Sequence, residues 1–463
     1  MKTVSEILEL LITKKGSASV YFLGIGGIGM SALARYFLNA GVTVSGYDKT
    51  PTALCRKLEA EGAVIHYEDN IEFIDKEAKL VIYTPAVPKD HLGLNWYLSH
   101  NYTVAKRSDV LGAITATGFN ICIAGTHGKT TTSTMVAHIL RHSGYGCNAF
   151  LGGIAVNYDT NFWASDNEIC VAEADEYDRS FLKLNPDIAI ISSMDADHLD
   201  IYGTAENMEQ AFIAFTENIR PRGVLISKYG LQRSSELKAP VHYSYAVQNT
   251  DADIYATNIE VDNGSYRFDV RLQGKCIKAV QLNMGGMHNV ENATAAIAVA
   301  VQLGIDEAKI KAAVAGFKGV KRRFEYIIKT GTQVMIDDYA HHPEELKALI
   351  TGAKAMFADK KCTVVFQPHL YSRTKDHAAG FAEVLDEADE VMLLPVYPAR
   401  EQPMEGVSSY MILEKMKHKN AQVFTKQSLL NQLKATKPEF LITAGAGDID
   451  TLVGPIKEVL EER

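Results

Sequence analysis

The residues with the clearest chemical meaning stand in a glycine-rich loop in the first third of the chain. An apolar run at 120–124 leads directly into Gly-Thr-His-Gly-Lys-Thr-Thr-Thr at 125–132, and a helical pattern follows. In such a strand–loop–helix unit, backbone N–H groups and the positive end of the helix dipole hold phosphates. Lys129 would neutralise the β- and γ-phosphates, and the Thr130 hydroxyl would bind Mg²⁺. The loop predicts ATP binding, because packing gives no reason for Gly-Lys-Thr at this place.

The loop is shorter than the general phosphate-binding pattern, since Ala124 stands where that pattern has its first glycine. The predicted ATP-binding residues of the loop are Gly125, Thr126, His127, Gly128, Lys129, Thr130 and Thr131.

Two further apolar runs end in acidic clusters, EADEYD at 173–178 and DADHLD at 195–200. Because the carboxyl ends of parallel strands meet at one edge of a sheet, both clusters should face the phosphate loop. Mg²⁺ binds carboxylates and water, and a second ion can accept an imidazole. A metal-binding role is therefore favoured for Glu173 and His198. For three other acids of the first cluster, a place at a helix N-terminus competes with a metal role; they are Asp175, Glu176 and Asp178.

A second glycine-rich loop, GIGGIG at 24–29, follows a strand-like run near the start of the chain. Asp48 ends the next strand, 24 residues after Gly24, where a ribose-binding acid lies in dinucleotide folds. Read alone, the pattern suggests an NAD(P) oxidoreductase, although glycines at this spacing also serve helix–strand packing. The context supports a nucleotide that contains a diphosphate and does not specify nicotinamide.

The elements that must position these loops alternate between strands and helices along nearly the whole chain, which predicts doubly wound α/β domains. A helical pattern covers residues 3–15, and strand–glycine–helix units begin at Gly24 and Gly125. A third unit starts with a strand at Val334, and a polar, strand-rich stretch at 240–282 reads as a β excursion on the central domain. Domain boundaries are expected near residues 115 and 324.

Composition limits the function classes. The chain has 463 residues and a net charge of −9, so it has no electrostatic footprint for nucleic acid or an anionic membrane. Six scattered cysteines without a CxxC pair fit a reducing compartment. Glu6 and Glu9 interrupt the only apolar stretch of the N-terminus, which argues against a signal peptide. We expect a cytoplasmic protein with no membrane insertion.

Seven motifs, in this order along the chain, together resemble the Mur ligase family. They are GIGGIGMSALA at 24–34, GTHGKTTT at 125–132, EADEYDRSF at 173–181, DADHLDIYG at 195–203, HNVEN at 288–292, RRFE at 322–325 and DDYAHHPEE at 337–345. The resemblance is greatest to the members that join L-alanine to UDP-N-acetylmuramate.

This resemblance implies three domains and a reaction. A Rossmann-like domain at 1–115 would bind the UDP-sugar, a central P-loop-type domain with a parallel sheet at 116–323 would bind ATP, and a Rossmann-like domain at 324–463 would bind the amino acid. ATP would phosphorylate the lactyl carboxylate of UDP-N-acetylmuramate, and the amine of L-alanine would attack the acyl phosphate. The expected role is peptidoglycan precursor synthesis, with two Mg²⁺ ions, replaceable by Mn²⁺, in a monomer or homodimer.

The resemblance also implies site residues. The catalytic residues would be Lys129, His198 and Arg323. The metal ligands would be Thr130, Glu173 and His198. Besides the phosphate loop, ATP would contact Asn289 and Asn292 at the adenine, Arg323 at the γ-phosphate and Asp338 at the ribose. The UDP-sugar site would comprise Gly24, Gly26, Gly27, Ile28, Gly29 and Asp48. The amino-acid site would comprise His341, His369 and Arg373.

Several of these positions keep an alternative. A structural role for His288 is as plausible as a functional one, and His341 and His342 precede Pro343 at a helix start, so capping competes with substrate contact. Leu370 stands where the family often has Arg. Residues 201–220 contain no Lys, so the carbamylated lysine that several family members use as a metal ligand is not expected here.

Parts of the sequence are also compatible with other functions. An NAD(P)-dependent oxidoreductase would leave the phosphate loop at 125–132 unexplained. A nucleotide-dependent switch would not need both a carboxylate and an amine for phosphate release. Within the family, the near alternatives are ligases that add other amino acids, a tripeptide-recycling ligase and folylpolyglutamate synthetase.

Overall fold

The described part of the chain, residues 3–13, 18–272, 274–399, 401–417 and 420–462 of a computed structural model, contains three β-sheets with helices between their strands. The sheets have five, ten and six strands and follow one another along the chain. Most strand pairs are parallel, which confirms the α/β class predicted from the alternation of strands and helices.

The first sheet is entirely parallel, with the strand order β3-β2-β1-β4-β5. Strand β1 is buried at every residue, as expected for an apolar run without polar alternation. The order reverses beside β1, so the glycine loop after this strand lies at the topological switch point where α/β sheets bind ligands. The strands are β1 Ser19–Leu23, β2 Thr43–Tyr47, β3 Val64–His66, β4 Leu80–Tyr83 and β5 Val104–Lys106.

The second sheet has the order β15-β14-β13-β12-β11-β10-β6-β9-β7-β8. Strand β6 pairs in parallel with both β9 and β10, so the loops after these three strands share one edge of the sheet. The predicted β excursion corresponds to β12–β15. The strands are β6 Phe119–Ala124, β7 Asn148–Ala155, β8 Thr160–Trp163, β9 Ile169–Glu173, β10 Ile188–Ile191, β11 Val224–Lys228, β12 Val241–Val247, β13 Ile254–Asp262, β14 Ser265–Leu272 and β15 Lys275–Leu282.

The third sheet has the order β16-β17-β21-β18-β19-β20. Strand β17 begins at Val334 as predicted, but an additional strand, β16, precedes it and pairs with it in antiparallel fashion at the sheet edge. The strands are β16 Glu325–Lys329, β17 Val334–Asp338, β18 Cys362–Phe366, β19 Glu390–Leu393, β20 Ala421–Val423 and β21 Phe440–Ala444.

The helices pack between and against these strands. They are α1 Val4–Thr13, α2 Ile28–Asn39, α3 Ala53–Ala60, α4 Leu92–Ser99, α5 Arg107–Thr115, α6 Lys129–His142, α7 Leu199–Tyr202, α8 Ala205–Glu217, α9 Met287–Gln302, α10 Glu307–Gly316, α11 Pro343–Met356, α12 Tyr371–Leu385, α13 Tyr410–Leu413, α14 Lys426–Thr436 and α15 Asp450–Glu461. Short 3₁₀ helices cover Tyr177–Lys183 and Ser234–Glu236.

Local sequence explains where several helices begin. The Thr52 and Thr204 side chains accept hydrogen bonds from backbone N–H groups in the first turns of α3 and α8. At α11, the His342 ring accepts from the first turn, the Glu345 carboxylate accepts from the His342 N–H, and Pro343 occupies the first helical position. The capping role that the sequence allowed for His342 is therefore present.

The chain divides into two compact units. The first comprises residues 1–257, 270–277 and 291–313, and the second comprises 258–269, 278–290 and 314–463. Phe22, Phe37 and Phe212 belong to a large apolar core of the first unit, and Met335 and Leu441 belong to a core of the second. The predicted boundaries near 115 and 324 stay predictions. Among the described residues, no helix combines the length and apolarity needed to cross a membrane.

Candidate functional site

The phosphate loop connects β6 to α6 in the first unit. Gly125 and Gly128 have φ values of +132° and +81°, a backbone region that side chains strongly disfavour. A Cβ atom on Gly128 would lie 2.8 Å from Oδ1 of Asn292. Glycine is therefore required at Gly128 for conformation and for space, and the loop passes close to one of the two predicted adenine ligands.

Two serines after β10 hold this loop. The Ser193 Oγ accepts a hydrogen bond from the His127 N–H at 2.8 Å and lies 2.8 Å from the Thr126 hydroxyl. The Ser192 hydroxyl donates to the His127 carbonyl. The loop is therefore anchored to the neighbouring strand of the sheet, and its shape does not depend on α6 alone.

The Lys129 side chain lies inside the loop. Its Nζ donates to the Gly125 carbonyl at 2.7 Å and to Oε1 of Glu176 at 2.7 Å. Only 16% of the lysine side chain and 1% of the glutamate side chain are exposed. The ammonium group is thus centred among the loop carbonyls, where it can meet phosphate oxygens.

The acidic cluster after β9 contributes carboxylates to two separate groups of side chains. Glu173 accepts from the Gly152 N–H at 2.9 Å and from the Ser133 hydroxyl at 3.2 Å. Burial raises the pKa of Glu173. The Gly152 N–H, the charge of Lys129 and a hydrogen bond from Thr130 act in the opposite direction and lower it. Glu173 and Thr130, both predicted metal ligands, therefore lie next to each other at the start of α6.

The second group comprises three candidate metal ligands. Ligand atoms of Glu176, Asp197 and His198 all lie within 4.8 Å of one another. His198 has φ +49° and precedes helix α7, which turns its ring towards Glu176 at an Nε2–Oε1 distance of 3.9 Å. Within the described part of the chain, the buried Oε2 of Glu176 has no hydrogen-bond partner.

These observations fit a divalent cation. A buried carboxylate oxygen without a donor needs a positive partner, because leaving it unpaired in a low-dielectric site is costly. Two carboxylates and an imidazole are a donor set that accepts Mg²⁺ or Mn²⁺. Burial also raises the pKa of Glu176, while Lys129 opposes this shift. A cation at this place would favour the ionised carboxylate further.

Three predicted ATP residues, Asp338, Arg323 and Asn289, belong to the second unit. The two carboxylate oxygens of Asp338 accept hydrogen bonds from the Phe324 and Ala340 N–H groups, each at 2.7 Å. Burial raises the pKa of Asp338 to about 6. Arg323 is exposed and lies 5.5 Å from the centre of the Tyr339 ring. Asn289, also in this unit, is buried and donates to the Gly285 carbonyl at 2.6 Å.

The predicted amino-acid residues lie together in the same unit. Nη1 of Arg373 and Nδ1 of His369 are 3.3 Å apart, and the His341 and His369 rings are 6.1 Å apart between centroids. Burial, with a contribution from Arg373, lowers the pKa of His369 to about 4. His369 is therefore neutral at physiological pH, so Arg373 carries the positive charge of this pair. Leu370 caps α12 with φ +69°.

Asp48 is hydrogen-bonded to the glycine loop of the first sheet. Oδ2 of Asp48 accepts a hydrogen bond from the Gly26 N–H at 2.8 Å, and Gly24 has φ +83°. Gly27 caps α2, and Ile28 is 38% exposed. The Asp48 carboxylate thus shapes the loop, whether or not it also contacts a ribose.

Comparison with known proteins gives matches along most of the chain. Residues 19–118 match the Mur ligase family catalytic domain, residues 123–300 match the Mur ligase middle domain, and residues 322–447 match the Mur ligase glutamate ligase domain. The chain belongs to the Mur ligase family. This confirms the resemblance read from the seven sequence motifs.

Individual relatives cover nearly the full length. This Mur ligase is 48% identical to the UDP-N-acetylmuramate–L-alanine ligase of Parabacteroides distasonis, over 96% of this chain and 97% of that protein. It is 46% identical to the protein of the same name from Flavobacterium johnsoniae, and the match covers 96% of this chain and 98% of that protein. The crystal structure of the UDP-N-acetylmuramate-alanine ligase MurC from Thermotoga maritima matches with a TM-score of 0.81 at 29% identity, covering 95% of this chain and 98% of that one.

A more distant structural match is a murein peptide ligase from Psychrobacter arcticus, with a TM-score of 0.66 at 22% identity over 96% of this chain and 99% of that one. At this identity the match shows the shared fold only.

Several site residues of this Mur ligase were missed by sequence reasoning. Helix capping explained Glu176 as well as metal binding did, and Asp197 received no separate role. Ser192 and Ser193 carried one signal, two hydroxyls placed immediately after the apolar strand β10. Only the strand order brings them to the phosphate loop, because β10 is a neighbour of β6.

Proposed function

We propose that this Mur ligase joins L-alanine to the lactyl carboxylate of UDP-N-acetylmuramate at the expense of ATP, in peptidoglycan precursor synthesis. The observation that carries the proposal is the convergence of Lys129, within its phosphate loop, with the group Glu176, Asp197 and His198. The two relatives that are 46–48% identical over nearly their whole length bear the name of this activity. Because ATP and UDP-sugars are cytoplasmic metabolites, we place the enzyme in the cytoplasm.

In the first step, the γ-phosphoryl group of ATP would pass to a carboxylate oxygen and ADP would leave. This step brings two anions together, so positive charge must be present where negative charge develops. Lys129 would supply it at the β- and γ-phosphates. Glu176, Asp197 and His198 would hold one Mg²⁺, and Thr130 with Glu173 would hold the other. Bound Mg²⁺ neutralises phosphate charge and polarises the transferred group.

In the second step, the amine of L-alanine would attack the acyl carbon. A tetrahedral intermediate would collapse with loss of phosphate, and the amine proton would pass to solvent or a nearby base, leaving an amide. Arg373 would hold the α-carboxylate of the amino acid through paired N–H groups, with His369 as a neutral neighbour. The proposal also includes the ATP contacts that the family resemblance implies. The residues that would make them are Arg323, Asn289, Asn292 and Asp338.

A phosphate-release screen tests the substrates. Purified enzyme with ATP and Mg²⁺ is offered UDP-N-acetylmuramate together with L-alanine, glycine, L-serine, D-glutamate or a cell-wall tripeptide. We expect turnover to require both acceptor and amine and to be fastest with L-alanine. Glycine and L-serine should be slower, since one methyl group changes binding by only about 1–3 kcal/mol. Preference for D-glutamate or the tripeptide would contradict the assignment of L-alanine and leave the ligase class intact.

Arg373→Ala tests the amino-acid site. We expect the KM for L-alanine to rise roughly tenfold or more, as loss of a charge-assisted hydrogen bond requires, while the KM for ATP changes little. Lys375→Ala is the matched control, because Lys375 is an exposed cation on the same helix α12. An unchanged dependence on L-alanine in Arg373→Ala would refute this role of Arg373.

A further inference from the structure

Arg107, at the start of α5, packs against the glycine loop of the first sheet. A Cβ atom built on Gly29 would lie 3.0 Å from Cδ of Arg107 and 3.2 Å from both Nε and Nη1. The arginine side chain is 22% exposed. One edge of the guanidinium therefore lies directly against the last glycine of GIGGIG.

The Arg107 side chain fills the space beside Gly29 that a larger residue would use. Gly29 lies within helix α2 and is not among the residues with positive φ. The backbone conformation at this second helical residue therefore does not call for glycine. The close approach of Arg107 is the feature that a glycine at this position accommodates.

Arg107 has only a weak partner on its other side. Nη2 donates to Oδ2 of Asp175 at 3.3 Å, whereas the adjacent Lys106 donates to Asp178 at 2.8 Å. Nε and Nη1 of Arg107 form no hydrogen bond with the described residues. The guanidinium also lines a small cleft together with Ser108, Glu173 and Asp175. The nitrogens that face the glycine loop therefore remain available to an anion.

The loop itself lacks a positive charge. Residues 24–29 contain no Lys or Arg, and the Asp48 carboxylate is hydrogen-bonded to the Gly26 N–H. An anion on this loop would thus meet a carboxylate, and backbone N–H groups alone would have to offset the repulsion. An arginine fork is well suited to bind phosphate oxygens in such a place.

We propose that Arg107 binds the diphosphate of the UDP-sugar over the Gly24–Gly29 loop. Asp175 binds Nη2 and so holds the guanidinium in position, which leaves Nε and Nη1 for the phosphate oxygens. The inference rests on the proposed UDP-sugar substrate, and it adds a residue from α5 to the predicted loop ligands.

Binding calorimetry without ATP or Mg²⁺ tests the role. UDP and UDP-N-acetylmuramate are titrated into the intact enzyme and into Arg107→Gln, Arg107→Lys and Lys106→Gln. We expect Arg107→Gln to weaken the binding of both ligands by about tenfold to a hundredfold, the range for a lost charge-assisted hydrogen bond. Arg107→Lys should lie between Arg107→Gln and the unmodified enzyme. Lys106→Gln, which breaks the adjacent ion pair, should stay within about twofold of the unmodified enzyme, because exposed pairs contribute little.

Asp175→Asn separates ligand binding from a structural role. Both Arg107→Gln and Asp175→Asn remove the charge pair, but only the former removes the proposed phosphate ligand. UDP affinity that is unchanged or higher in Asp175→Asn supports the proposal, and an equal loss in both variants overturns it. If the unmodified enzyme binds the UDP-sugar and Arg107→Gln binds it equally well, this inference fails and the proposed function stands. If the unmodified enzyme does not bind the UDP-sugar, both fail.

Discussion

At the scale of single residues, the site depends on the ion pair between Lys129 and Glu176. The lysine belongs to a motif that is evident in the sequence, whereas the glutamate is identified only by its burial and by the 2.7 Å contact. A buried pair of this kind contributes little net stability, yet removing one partner leaves the other charge uncompensated, at a cost of about 3–5 kcal/mol. The proposed catalytic role of Lys129 and the stability of the fold are therefore coupled at this position.

Lys129→Ala should lower turnover by roughly two to three decades, as expected when one charged transition-state contact worth about 2–4 kcal/mol is lost. The same variant should unfold at a lower temperature, because Glu176 loses its cation. Adding Glu176→Gln should restore much of the melting temperature but not the activity. Phosphate release and thermal unfolding measure the two effects, with Lys238→Ala, which breaks an exposed pair with Glu217, as the control. Near-normal turnover in Lys129→Ala would contradict the phosphate-loop assignment.

At the scale of elements, helix α6 has a glycine with positive φ at each end. Gly128 caps its N-terminus with φ +81°, and Gly144 follows its C-terminus with φ +79°. A Cβ atom on Gly144 would meet no atom within 4 Å, whereas one on Gly128 would meet Asn292. The two glycines therefore share the same conformational requirement and differ in the space around them.

This pair gives a matched prediction. Gly128→Ala and Gly144→Ala should each cost about 1–2 kcal/mol in the free energy of unfolding, from the left-handed backbone alone. Only Gly128→Ala should in addition raise the KM for ATP, because its methyl group displaces the loop from Asn292. Chemical denaturation and the KM for ATP test this expectation. Equal ATP kinetics in the two variants would show that the space beside Asn292 is unimportant.

At the scale of the whole molecule, acid stability depends on buried neutral histidines. His138 on α6 donates from Nε2 to the Ala313 carbonyl at 2.9 Å, and its Nδ1 lies 2.9 Å from the Tyr158 hydroxyl. Burial lowers the pKa of His138 to about 4. Between this pH and about 6.5, the pKa of a histidine in the unfolded chain, the unfolded state binds the proton and the folded state does not. The contribution of neutral, buried His138 to the free energy of unfolding is therefore complete above pH 6.5 and is lost as the pH falls towards 4.

His138→Gln should consequently weaken the pH dependence of stability. The variant should be less stable at pH 7, but its further loss between pH 6.5 and pH 4 should be smaller by up to about 3 kcal/mol, the value of a pKa shift of this size. Urea midpoints of the two proteins across this range provide the measurement, and His142→Gln, exposed on the same helix, is the control. Parallel pH profiles for the unmodified enzyme and His138→Gln would exclude the role of His138.

Some features of this protein follow from local sequence. The phosphate loop, the first glycine loop and the start of α11 at Pro343 could each be predicted, because strands, glycine turns and helix caps depend on hydrogen bonds between residues only a few positions apart. The α/β class and the Mur ligase family also follow from the order of these motifs. Strand β16 was not predicted, because a short edge strand beside a turn shows only a weak alternation of apolar and polar residues.

The composition of the site, by contrast, was decided by tertiary structure. Lys129 and Glu176 are 47 positions apart, and Arg107 is 68 positions from Asp175. These pairs form because β6 lies between β9 and β10 and because α5 packs beside the acidic cluster. Strand order is set by the burial of whole apolar faces, which no single motif records. Sequence alone therefore predicted the phosphate-binding residues, and the fold determined which carboxylates and cations lie beside them.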